Sequence, residues 1–266
     1  MSGEPVLLIT GASSGIGAAV ARRFGQAGYR LVLAARRFDR LSALADEIGA
    51  QGGEALPVSA DLSQLSDIQR LVQVTLNHYH QIDILLNNAG FGRLDWLEGL
   101  DPLVDVQAQI QVNLLGLIWT AQAVLPPMIE RRSGHIINVG SLAGWIASPT
   151  YSIYAATKFG VRGFTDSLRR EVSVYGIHVS GIYPGSVDTE FRAHARIRRK
   201  TGMITPKRMR LTAEQVAQAV FQLAQHPRRV VFLPGYMRWV VALNGLFPGL
   251  VDWVVRKRFV EREREH

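Results

Sequence analysis

Short, continuously apolar runs alternate with longer stretches of helical periodicity along most of the chain. The runs are VLLIT (6–10), RLVLAA (30–35), EALPVSA (54–60), DILLNNA (83–89), HIINVG (135–140), HVSGIYP (178–184) and VVFL (230–233). Helical patterns lie between them, near 15–28, 39–49, 64–79, 102–127, 151–175 and 212–225. The last opens on TAEQ, where Thr212 and Gln215 have capping-box spacing. A strand that is apolar on both faces must be covered on both faces. Strands alternating with helices imply βαβ units, so the expected fold is α/β, a doubly wound parallel sheet of about seven strands with helices on each face.

Composition narrows what such a sheet could serve. The 266 residues, 47% of them hydrophobic, suffice for one large domain, and no linker, repeat or low-complexity run divides them. A single domain spanning 1–266 is expected. The chain has no cysteine, which excludes disulfides, thiolate metal sites and a cysteine nucleophile and fits a reducing compartment. MSGEP leads directly into VLLIT without a charged region and a long apolar run, so no signal peptide is expected and the location reads as cytoplasmic. The seven histidines show no ligand spacing, and no metal is expected. The net charge is +8, but residues 190–210 hold eight Lys/Arg against one acid, Glu190. A nucleic-acid binder would carry its charge more widely, so no nucleic-acid partner is expected.

TGASSGIG follows the first apolar run and opens the first helix, with Gly11, Gly15 and Gly17 spaced G-x-x-x-G-x-G. Glycine allows positive φ in a tight turn and close approach of backbone to a diphosphate. The helix N-terminus then favours the anion. At the end of the second run, an acid would accept from an adenosine ribose, whereas a cation would bind a 2′-phosphate. Arg36 stands there, with Arg37 and Arg40 nearby, which favours NADP(H) over NAD(H).

YAATK places Tyr154 and Lys158 four residues apart, on one face if helical. Spacing alone fits an ordinary surface pair. The context is more specific: TGASSGIG (10–17), NNAG (87–90), Asn113, Ser141, YAATK (154–158) and PGSVDT (184–189) occur in one order, with Ser141 13 residues before Tyr154. In these motifs, over residues 6 to about 235, the chain resembles the short-chain dehydrogenase/reductase family, in its compact single-domain branch of Rossmann type. The resemblance implies that Tyr154 is the general acid in ketone reduction and the base in alcohol oxidation. It implies that Lys158 favours the phenolate and holds the nicotinamide ribose, that Ser141 orients the substrate oxygen, and that Asn113 supports a proton-relaying water. It further implies Gly11, Ser13, Ser14, Gly15, Ile16 and Gly17 around the diphosphate and Asp61 and Leu62 at the adenine. Asn88, Ala89 and Gly90 would lie beside the adenosine, with Pro184, Val187 and Thr189 around the carboxamide and a phosphate. Asn87 is expected to stabilise the sheet instead. One departure is Gly140, where the family often has a second serine.

Residues 186–211 fall where the family places a substrate lid. Their positive charge reads either as a solvated loop or as attraction to an acidic partner: an anionic membrane, a phosphorylated or CoA-bearing substrate, or a carrier protein. The segment WVVALNGLFPGLVDWVV (239–255) has 12 apolar residues among 17, interrupted too often for a membrane span. Two short apolar helices hinged at FPG are expected within a 236–260 extension. They would serve as a subunit interface or pocket wall, or insert at a membrane surface with Trp239 and Trp253 at headgroup level. Phe91, Trp145, Ile146, Pro149 and Tyr151 are expected to line a pocket for a small lipophilic carbonyl or alcohol. The resemblance also implies a homodimer or homotetramer built through the helices near 102–127 and 151–175. The alternatives are a 3-oxoacyl-carrier reductase and a non-catalytic nucleotide-sensing scaffold on the same fold.

Overall fold

The computed structural model describes residues 4–191, 195, 205 and 209–264. Most of the basic segment lies outside the described residues; Arg210 is its one described cation.

The seven apolar runs form seven parallel strands: β1 Val6–Thr10, β2 Arg30–Ala35, β3 Glu54–Ser59, β4 Ile84–Asn87, β5 Gly134–Val139, β6 Ile177–Pro184 and β7 Val230–Leu233. Their order in the sheet is β3-β2-β1-β4-β5-β6-β7. The chain builds outward from β1 in one direction and then returns to build the other half from β4. A crevice therefore opens beyond the carboxyl ends of β1 and β4, where such sheets bind ligands.

Alternation along each strand assigns the two faces. Leu7 and Ile9, with Leu31, Leu33, Ile137 and Ile182, pack against helices α1 (Gly15–Gly25), α2 (Phe38–Ala50) and α6 (Ala213–Gln225). Val6 and Leu8, with Val32, Leu85 and Ile136, pack against α3 (Leu65–Tyr79), α4 (Pro102–Arg131) and α5 (Ser152–Val172). Each such Leu or Ile, removed from water, contributes about 1.5–3 kcal/mol before the cost of ordering the chain. The capping box forms: Thr212 Oγ1 accepts from Gln215 N at 3.2 Å, and Gln215 Oε1 accepts from Thr212 N at 2.9 Å.

Helix α4 runs past the expected end at 127, through Pro126 and Pro127, to Arg131. Pro126 is exposed and Pro127 only partly buried, so carbonyls that lose a partner there can turn to water. The helix is long and apolar enough to span a membrane by composition, yet it packs against β4, β5, α3 and α5 in the sheet's covering layer. Its stretch Gln111–Gly116 is wound as wider π-type turns and contains Asn113.

Beyond β7 the expected pair of short helices forms: α7 Met237–Leu246 and α8 Pro248–Val255, breaking at Phe247. Trp239, Leu243, Leu246, Phe247, Leu250 and Trp253 are exposed along them. The chain then turns back, and Phe259 is buried beside Trp96 with ring centroids 6.2 Å apart.

Candidate active site

The turn after β1 has the backbone that its glycines permit. Gly11 sits at φ +67° and Gly15 at +55°, and a Cβ on Gly11 would lie 2.8 Å from Ala89 Cα. Gly17 serves packing: its Cβ would fall 2.3 Å from Gly11 O, so glycine lets α1 fold back onto the turn. NNAG fastens the same turn. Asn88 Nδ2 donates to Thr10 O at 3.0 Å and to Gly11 O at 3.2 Å, while Thr10 Oγ1 accepts from the amides of Asn88 and Ala89. Asn87 stays in the sheet, donating to Leu117 O and Asn138 Oδ1.

Helix α1 begins at Ser14 without a side-chain cap bond and without an acid in its first turn. Its leading N–H groups and positive dipole end are left for an anion. Arg37 reaches over this end, its Nη2 donating to Ser13 Oγ at 3.1 Å and Ser14 Oγ at 3.0 Å. Arg36 and Arg37 line the same cavity. A glycine cradle that a Cβ would fill, together with cations at its edge, fits a dinucleotide carrying an extra phosphate.

The second half of the site hangs from β5 and α5. After β5 the backbone turns through Ser141, whose Oγ accepts from Ala143 N at 3.1 Å and starts a short 3-10 turn, Leu142–Gly144. Gly144 lets that turn rest on α5, since its Cβ would meet Lys158 O at 2.5 Å. The departure at Gly140 has a steric cause: a Cβ there would lie 2.5 Å from the Tyr183 ring. Tyr154 and Lys158 emerge from one face of α5, both buried. Lys158 Nζ donates to Val139 O at 3.0 Å and lies 5.7 Å from the Tyr154 ring centroid.

Burial is the largest electrostatic influence on both groups. Burial pushes the Tyr154 hydroxyl up to about 12, opposed by its hydrogen bond with the Ser141 hydroxyl. Burial also brings the Lys158 ammonium down to about 8. Desolvation disfavours the charged form of each, and the ammonium is directed to a main-chain carbonyl.

One cavity of about 1460 Å³ joins the two halves. The glycine turn, Asp61, Leu62 and Asn88–Gly90 border it on one side, and Pro184, Val187 and Thr189 on another. Ser141, Tyr154 and Lys158 lie in the same wall, and Phe91, Ile146, Pro149 and Tyr151 border it as expected.

Three expected site residues do not border it. Gly17 acts through packing, as above. The side chain of Asn113 is taken up by Phe91, accepting from its amide at 2.9 Å and donating to its carbonyl at 2.7 Å, so it shapes the loop after NNAG. Trp145 turns away: its ring packs 5.1 Å from Phe232 and 5.5 Å from Tyr183, with the Arg162 guanidinium 3.4 Å from its centroid. Arg162 follows one turn after Lys158 on α5, and its cation holds the indole on the protein side. Met237, Val240 and Phe259 border the cavity from the C-terminal extension, and Glu190 from the residue after Thr189. Apolar character alone could not show that the extension folds back. Glu190 had a signal, as the single acid in a segment of eight cations.

Residues 5–200 match the family model described as short chain dehydrogenase. The chain is 36% identical over 234 residues to the NADP-dependent 3-hydroxy acid dehydrogenase YdfG of Salmonella typhi, covering 85% of this chain and 91% of that protein. It superposes with TM-score 0.80 on a short-chain dehydrogenase from Sphingobium yanoikuyae in complex with NADPH, at 33% identity over 93% of this chain and 95% of that one. A short-chain dehydrogenase/reductase from Burkholderia phymatum in complex with NAD superposes at 0.83, with 26% identity over 93% and 95%. A doubly wound parallel sheet, a glycine turn and a Ser–Tyr–Lys cluster in one cavity define a nucleotide-dependent oxidoreductase. This chain belongs to the short-chain dehydrogenase/reductase family and is a short-chain oxidoreductase.

Proposed function

We propose that the protein is an NADP(H)-dependent reductase that interconverts a small lipophilic ketone or aldehyde and its alcohol. The observation that carries this reading is the meeting, in one cavity, of Ser141, Tyr154 and Lys158 with a glycine cradle edged by Arg36 and Arg37. The nicotinamide, when bound, supplies or accepts the hydride. The chain supplies the rest. Ser141 Oγ donates to the substrate carbonyl oxygen and fixes it, and the Tyr154 hydroxyl gives that oxygen its proton as the carbon–oxygen double bond is reduced. In the reverse direction the Tyr154 phenolate takes the alcohol proton, and the Lys158 ammonium lowers the cost of that phenolate. Gly11, Ser13, Ser14, Gly15 and Ile16 would cradle the diphosphate, Asp61 and Leu62 would receive the adenine, Asn88–Gly90 would flank the adenosine, and Pro184, Val187 and Thr189 would hold the nicotinamide end. Phe91, Ile146 and Tyr151 form the apolar side that takes the substrate. Asn113 acts by fixing the Phe91 backbone.

The test is titration with NADPH and with NADH, read by fluorescence, on wild type and Arg36→Asp. The reading requires NADPH to bind at least tenfold tighter in wild type, with that preference lost in the variant. Equal affinities, or tighter NADH, would sink it. Reduction of apolar ketones that requires Tyr154 then tests the chemistry.

The protein is proposed to act in the cytoplasm as a homodimer or homotetramer, joined through α4 and α5, where Ile110 and Phe159 lie exposed. The 236–260 extension is proposed to rest on an anionic lipid surface. Trp239 and Trp253 are exposed, the Arg238 guanidinium lies 4.9 Å from the Trp239 ring centroid, and Arg256, Lys257 and Arg258 follow Trp253 closely in the chain, a combination of apolar face and cations that suits headgroups. Co-sedimentation with anionic vesicles at low salt checks this, and protein left in the supernatant would remove the membrane from the picture.

A further inference from the structure

Arg37, one of the two arginines that edge the glycine cradle, already holds an anion of the protein's own, together with its neighbour Arg40. Glu190 follows Thr189, whose side chain lies 3.3 Å from where a Gly15 Cβ would stand, so its backbone is set against the cradle. Its carboxylate accepts from Arg40 Nη1 at both oxygens, 2.9 and 3.0 Å, and from Arg37 Nη1 at 3.4 Å. Arg37 is the guanidinium that also caps Ser13 and Ser14. The two arginines hold the Glu190 carboxyl below its usual range, with Arg40 the larger influence. Arg36, which lines the same cavity, makes no ion pair among the described residues.

We infer that Glu190 is a specificity-determining counter-ion that occupies Arg37 and Arg40 until a 2′-phosphate displaces it. The inference rests on the NADP(H) reading above. A carboxylate offers a guanidinium fork the same kind of paired oxygens that a phosphate does, so one arginine cannot satisfy both fully. The phosphate, with more charge and a third oxygen, wins the exchange but must first break the Glu190 pairs. A cofactor lacking that phosphate leaves Glu190 where it is and gains nothing from its removal. Glu190 therefore lowers the affinity for NADP(H) selectively, and it retakes the arginines as NADP+ departs, which speeds release.

The pairs are solvent-accessible, with Glu190, Arg37 and Arg40 side chains 44%, 38% and 44% exposed, so the effect is modest. Exposed pairs of this kind correspond to about a two- to fivefold change in affinity. The experiment measures Kd for NADPH and for NADH by fluorescence on wild type, Glu190→Gln and Glu190→Asp, with stopped-flow release of NADPH. The expected result is NADPH binding two- to fivefold tighter and leaving more slowly from Glu190→Gln, with NADH unchanged and Glu190→Asp close to wild type. Unchanged or weaker NADPH binding by Glu190→Gln, with wild type still preferring NADPH, would overturn the competition and make Glu190 an organiser of the arginines. A parallel change in NADH would also overturn it, because a general effect on the cradle does not depend on the 2′-phosphate. A wild type that does not prefer NADPH would overturn the cofactor reading itself, and this proposal with it.

Discussion

At the scale of single residues, Tyr154 and Lys158 are set by burial more than by one another. Tyr154 is raised to about 12 by desolvation, so its hydroxyl keeps its proton near neutrality and is a competent acid for ketone reduction. Tyr154→Phe removes that proton and is expected to lower kcat by about 10²–10⁴, the usual range for a lost general acid, with NADPH affinity nearly intact. Steady-state kinetics and cofactor titration on one preparation decide this; a rate loss below tenfold would place the proton donor elsewhere. Lys158 leads to a stability prediction of definite sign. Its folded value, about 8, lies below the unfolded 10.5. Between these values the unfolded chain binds more protons, so stability from this group rises with pH and is least below 8. Lys158→Met should therefore be more stable than wild type at pH 7, by up to about 3 kcal/mol, with the gap closing as pH rises from 8 toward 10.5. Urea midpoints at pH 7 and 9.5 measure it; a gap that widens with pH would reverse the assignment.

At the scale of elements, the turn between β1 and α1 shows why some of the site was legible. A G-x-x-x-G-x-G turn after an apolar run can be read because Gly11 and Gly15 need positive φ, and that need is local. The seven strands were legible for a related reason: burial on both faces leaves a continuous apolar signature that turns interrupt. Trp145 was misplaced because its direction depends on Arg162 and Tyr183, which reach it only through the tertiary fold. The end of α4 was misread because two prolines on the solvent side do not stop a helix that the core holds elsewhere. Gly17 belongs with the legible features but for a different reason, contact in place of φ. Gly17→Ala would drive a methyl group into Gly11 O and Asn88 Nδ2, at 2.3 and 2.8 Å. We expect it to cost about 1–3 kcal/mol in stability, by analogy with overpacking, and to weaken NADPH and NADH alike because the whole cradle shifts. Thermal unfolding and the two titrations test this, and selective loss of NADPH alone would contradict it.

At the scale of the whole molecule, the C-terminal extension supplies part of the cavity wall, one of the roles its apolar segment suggested. The chain leaves β7, lays α7 and α8 along the surface, and returns so that Phe259 is buried against Trp96 while bordering the cavity. Arg264 stacks over the Trp96 ring at 3.9 Å and pairs with Glu98, closing the return. The cofactor cradle lies at the sheet's carboxyl edge and uses none of these contacts. Substitutions in the return should therefore separate substrate binding from cofactor binding. Phe259→Ala removes a buried ring, with an expected stability loss of about 3 kcal/mol, and opens the apolar side of the pocket. For an apolar ketone the expected outcome is a several-fold rise in KM with kcat changed less and the NADPH Kd unaltered. Uniform binding would have been lost while the hydride and proton geometry at Ser141 and Tyr154 stayed in place. If the NADPH Kd rises in step with KM, the extension supports the cradle as well, and the two halves of the cavity are one mechanical unit.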